Sequence, residues 1–113
     1  MDISVSKEQG ILQLSLSGDL IGENSGAEII GVVSDNLEDG IKSCALDLSG
    51  IRYMNSSGIG VMITIMTKFK NRGGEIVLVN PSDQIVKLLS ITKLDSVFKI
   101  MSNTTDALGY LNA

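Results

Sequence analysis

The run Asn55-Ser56-Ser57-Gly58-Ile59-Gly60 holds the residues of this chain best suited to chemistry. Two adjacent hydroxyls follow an amide side chain at the place of a helix N-cap, and the glycines leave the first helical turn sterically open. Free N–H groups there carry a partial positive charge. A phosphate on Ser56 would therefore add about −1.5 to −2 charges at the helix end that favours anions. Simple capping by these residues requires no such role, and the residue types alone leave both readings open.

Other chemistries are poorly served. The chain has no His, which removes the usual general base, and its single Cys44 can neither pair within the chain nor build a zinc cluster. No catalytic residue, metal or cofactor is expected, and the chain is not expected to be an enzyme. Gly58-Ile59-Gly60 lacks the third glycine of a dinucleotide fingerprint, and no Walker lysine follows it. Lys68, Lys70 and Arg72 complement the C-terminal end of a helix. Nine basic residues against thirteen acidic ones give a net charge of −4, with no cationic run to neutralise a phosphate backbone. No nucleic-acid partner is expected. The most apolar stretch, residues 59–66, falls far short of the roughly 20 residues that cross a bilayer, and residues 1–10 do not form a cationic, apolar, cleavable leader. These features point to a cytoplasmic chain without membrane insertion.

The elements that must position residues 55–60 follow from periodicity. Residues 2–7 and 10–17 alternate and read as a hairpin across Glu8-Gln9-Gly10. A first helix is predicted over residues 24–39, with Ala27, Ile30, Val33 or Ser34, and Leu37 on its apolar side and Gly40 as its stop. Residues 43–48 form a short apolar run, read as the buried central strand. A second helix runs from Ser56 or Ser57 to Asn71, with Ile59, Met62, Ile63, Met66 and Phe69 on one side. A strand at residues 75–80, a helix at 82–91, a strand at 97–101 and a helix at 104–111 complete the order ββαβαβαβα. Strands separated by helices need crossovers, so the fold class is α/β: a single mixed, mainly parallel sheet with an N-terminal antiparallel hairpin and helices packed on it. The 113 residues, 43% of them hydrophobic, suit one domain spanning residues 1–113.

The segment from Leu46-Asp47-Leu48-Ser49-Gly50 through Tyr53-Met54-Asn55-Ser56-Ser57-Gly58-Ile59-Gly60-Val61 resembles the STAS domain of bacterial anti-sigma-factor antagonists. The likeness continues through Lys70-Asn71-Arg72-Gly73-Gly74-Glu75-Ile76-Val77-Leu78-Val79, and the element order extends it over the whole chain. The resemblance implies a STAS-like fold and a partner-switching regulator of transcription with no catalysis of its own. It assigns Ser56 as the phosphoacceptor, with Ser57 the lesser candidate. The unphosphorylated form would bind an anti-sigma factor with serine kinase activity. Phosphorylation would release it, and a serine phosphatase would restore binding.

Two positions depart from the family pattern. Asn55 stands where the family usually has Asp, and Gly18-Asp19-Leu20-Ile21 replaces a Gly-acid-Leu-Asp run. The partner surface is expected to combine residues 19–24 and 54–60, because loops after parallel strands gather at one edge of a sheet. Its expected contacts are Asp19, Leu20, Asn24, Met54, Asn55, Ser56, Ser57, Gly58 and Ile59. The alternative is a constitutive STAS scaffold, or an accessory subunit of a transporter or stress-signalling assembly.

Overall fold

The computed structural model describes residues 1–21 and 23–112, with the side chains of Glu23, Asn24 and Ser25 outside that description. Its elements are β1 (Asp2–Glu8), β2 (Ile11–Leu20), α1 (Glu23–Glu38), β3 (Ser43–Met54), α2 (Ser56–Asn71), β4 (Ile76–Val79), α3 (Asp83–Ile91), β5 (Lys99–Met101) and α4 (Thr104–Asn112). The order is the expected ββαβαβαβα. The five strands lie in the sequence β1-β2-β3-β4-β5, so the apolar run at residues 43–48 does occupy the centre. β1 and β2 are antiparallel and the remaining neighbours are parallel.

This simple progression dictates the layering. Right-handed crossovers that all step in one direction place their helices on one face of the sheet. Side chains of α1 (Ile29, Val33, Leu37), α2 (Met62, Ile65, Phe69) and α3 (Ile85, Leu89) accordingly share a core with Leu12, Leu14, Leu16, Leu46, Leu48 and Leu78. α4 follows the last strand with no crossover to make and covers the opposite face, where Ala107 packs on Ala45, Val77 and Val79. β4 is thereby enclosed on both sides, which is why its residues read as a continuous apolar run.

Two helices bury a stripe turned slightly from the expected one. α1 buries Gly26, Ile29, Val33, Asn36 and Leu37, leaving Ala27 exposed and Ile30 half-buried. α2 buries Gly58, Met62, Ile65 and Phe69, while Ile63 faces solvent and Ile59 and Met66 are half-buried. Both helices carry more apolar positions than one face can hold, so sheet packing decides which are enclosed.

The largest difference lies in β3, which runs six residues past Leu48 and pairs with a β2 that continues past Ser17 to Leu20. Ser15 faces Asp47, yet Ser17 faces Gly50; Gly18 faces Ile51, yet Asp19 faces Tyr53. Each shift inserts one extra residue on β3, so positions on the helical face progress as Cys44, Leu46, Leu48, Ile51 and Met54. The spacing changes from two residues to three, and the alternation that marks a strand is lost. Asp47 supports the first bulge, its Oδ1 accepting the Ser49 N–H at 2.9 Å. Gly50 is required there because a Cβ would lie 2.6 Å from Ser17 Cβ.

Candidate functional site

The bulged end of β3 delivers the chain directly into α2. Leu20 and Met54 are register partners, so the ends of β2 and β3 stand side by side at one edge of the sheet. Asn55 links them: its backbone N–H donates to the Leu20 carbonyl at 3.4 Å, and its side-chain Nδ2 donates to the Ile21 carbonyl at 3.2 Å. Its Oδ1 accepts the Gly58 N–H at 3.0 Å as the N-cap of α2. One amide thus caps the helix and holds the β2 terminus. A carboxylate could perform only the first task, since an ionised Asp has no donor.

Ser56 is the first residue of α2, and its side chain and that of Ser57 are exposed. With Asn55 acting as cap, neither hydroxyl is committed to capping. The first turn contains no acidic residue, so the helix dipole is uncompensated there, and the backbone donors of Ser56 and Ser57 precede any possible intrahelical acceptor. Gly58 lies beneath them against β2, where a Cβ would overlap the Leu20 carbonyl oxygen. This close approach seats the helix start on the strand end. A phosphate on Ser56 would face water and a positive dipole end.

The expected contact residues separate into two groups. Leu20 is 0% exposed, Met54 is 3% exposed and Gly58 is buried, so Leu20 and Gly58 lie beneath the surface and Met54 reaches it only at the wall of a groove. The correction follows from the longer strands: Leu20 and Met54 are strand residues on the helical face, not loop residues. Asp19 is also in β2, and its carboxylate is engaged by Arg52 through Oδ1–Nε and Oδ2–Nη2 distances of 3.4 Å. Asn55 and Ile59 are half-buried beside the exposed Ser56 and Ser57. The Asn24 side chain lies outside the described residues.

Sequence reasoning missed the contribution of α3. A groove of about 500 Å³ opens beside Ser56, walled by Tyr53, Met54 and Ile59 on one side and by Ile85, Leu88 and Ile91 of α3 on the other. Tyr53 is 50% exposed and Ile91 70% exposed. Ile91, next to the polar residues Ser90 and Thr92 and outside the buried stripe of Ile85 and Leu89, was the available signal. Lys68 and Lys70 occupy the last turn of α2, as expected, and Arg72 caps it while donating through Nη1 to the Leu37 carbonyl at 3.3 Å. Burial pushes the Cys44 thiol far above its ordinary range, so it is no nucleophile at neutral pH. Among the described residues, no group of three or more His, Cys, Asp or Glu side chains could hold a metal ion, and no helix is long and apolar enough to cross a membrane.

The STAS domain family model matches residues 2–107. A Thermotoga neapolitana protein, assigned by inference as an anti-sigma factor antagonist homolog, is 32% identical over 77 residues, covering 68% of this chain and 68% of the relative. Among solved structures, a Thermotoga maritima chain with a similarly inferred assignment superposes with a TM-score of 0.87 at 22% identity, over 98% of this chain and 95% of its own. The Bacillus cell fate determinant SpoIIAA in its phosphorylated form gives a TM-score of 0.77 at 20% identity, over 96% and 98% of the two chains.

Proposed function

The chain belongs to the STAS domain family, and from that membership we propose that it acts as one module, an anti-sigma-factor antagonist switched by phosphorylation of Ser56. The observation that carries this reading is the exposed Ser56 hydroxyl, freed from capping by Asn55 at the start of α2. In the unphosphorylated state the surface around Ser56, Ser57 and Ile59 binds an anti-sigma factor with serine kinase activity. The kinase moves the γ-phosphoryl group of ATP to Ser56 Oγ, and ADP and the hydroxyl proton leave. The dianion then opposes the partner, because it is costly to desolvate in a close interface and repels nearby acidic groups. A serine phosphatase returns the hydroxyl by hydrolysis.

The position of Ser56 at the start of α2 supports this reading energetically. The phosphate sits at a favourable helix end, so modification should alter binding without unfolding the domain. Incubation with ATP and the anti-sigma factor kinase of the same genome, followed by intact mass measurement, tests the reading. The wild type should gain one phosphate and Ser56→Ala none, with both remaining folded. One phosphate on Ser56→Ala would move the acceptor to Ser57 or another hydroxyl. No phosphate on the wild type would favour the constitutive scaffold or accessory subunit.

A further inference from the structure

The groove between the start of α2 and α3 has a composition unlike the rest of this acidic surface. Its floor and walls are chiefly Tyr53, Ile59, Leu88 and Ile91, and among the described residues no carboxylate lines it. Among the described residues, Lys87 is the one charged residue on its lining, and no ion pair involves it. The chain as a whole carries a net charge of −4. An apolar trough edged by a single cation is complementary to an apolar side chain flanked by an acid. Ser56 lies on the same lining, so the groove continues the surface on which the proposed switch operates.

We infer that α3 supplies the second half of the partner-binding surface: the groove takes an apolar anchor of the anti-sigma factor, and Lys87 takes a carboxylate beside that anchor. This deepens the proposed function and rests on it. Burying the half-exposed Tyr53 and the protruding Ile91 gives binding its apolar contribution. The same arrangement also sharpens the switch. A phosphate on Ser56 competes for Lys87 and places negative charge against the partner's carboxylate, so one modification removes the cation from the interface and adds repulsion to it.

The test is calorimetric titration of the full chain with the anti-sigma factor of the same genome, using Ile91→Asp, Lys87→Glu, Ser56→Asp and Ser90→Asp. Ser90 is an exposed neighbour on α3 outside the groove lining, so Ser90→Asp adds the same charge at the same helix end. Thermal unfolding of each variant shows that it is folded. Ile91→Asp and Lys87→Glu should each weaken binding at least tenfold, while Ser90→Asp stays within about twofold of the wild type. Wild-type affinity in Ile91→Asp and Lys87→Glu, with Ser56→Asp still impaired, would overturn the groove and leave the switch standing. Absence of binding by the wild type would overturn the switch, and the groove assignment with it. Self-association of the wild type abolished by Ile91→Asp would assign the groove to a second copy of this chain and likewise overturn the inference.

Discussion

Replacing Gly58 by Ala isolates the close approach that seats α2 on the end of β2. An added Cβ would overlap the Leu20 carbonyl oxygen and come within 2.6 Å of Met54 Cγ. The methionine can rotate away, but the carbonyl belongs to a paired strand, so the helix start must shift by several tenths of an ångström. Overpacking of this kind costs roughly 1–3 kcal/mol, whereas exchanging Gly for Ala inside a helix gains up to about 1 kcal/mol. Gly60, two residues later, is the matched control because a Cβ there meets nothing within 4 Å. Both substitutions carry a similar propensity gain, so their difference reports the overlap alone. That difference should be about 1–3 kcal/mol, or roughly 4–12 °C in Tm at this chain length, with Gly58→Ala the less stable. Thermal unfolding followed by circular dichroism measures it directly. Equal Tm values for the two variants would show that the helix start floats over β2, and the geometric account of how Ser56 is held would fail.

Asn55→Asp removes the donor that reaches the Ile21 carbonyl but keeps the cap and adds a favourable charge at the helix end, so the unphosphorylated protein should lose no more than about 1 kcal/mol. With phosphate on Ser56 the like charges add repulsion of about 1–4 kcal/mol, and the Tm drop should be visibly larger; equal shifts in both states would mean that residue 55 does not sense the phosphate. Raising the pH should expose the burial of Cys44, whose thiol stays protonated in the folded protein while the unfolded chain ionises above about pH 8.5. Folding stability then falls with rising pH by up to about 1.4 kcal/mol per unit on this account, and Cys44→Ala should show a shallower decline between pH 8 and 10; parallel curves in urea titrations would contradict it. Arg52→Ala breaks only an exposed pair with Asp19 and should cost less than about 1 kcal/mol, so a larger loss of Tm would give that pair a structural weight its exposure does not suggest.

Much of this protein is written in local patterns. The hairpin needs only alternation and a turn, α2 needs a cap at Asn55 and a stop beyond Asn71, and the alternation of strands with helices requires crossovers and so a mainly parallel sheet. The exposure of Ser56 was likewise legible, because polar residues and glycines around it offer no apolar cover. The sequence by itself thus determined the element order, the parallel sheet and the location of the candidate switch, all of which depend on residues close together along the chain. Only the tertiary structure decided how those pieces meet. The bulges of β3 depend on its pairing with β2, and they change an inward spacing of two into one of three, which hides residues 49–54 from any periodic reading and carries Leu20 and Met54 out of the expected loops into the core. The second hydrogen bond of Asn55 spans 34 positions in sequence, and the groove forms because the crossover after β4 lays α3 beside the start of α2. Such features arise from the packing of distant segments, where register and layer order determine which side chains become neighbours.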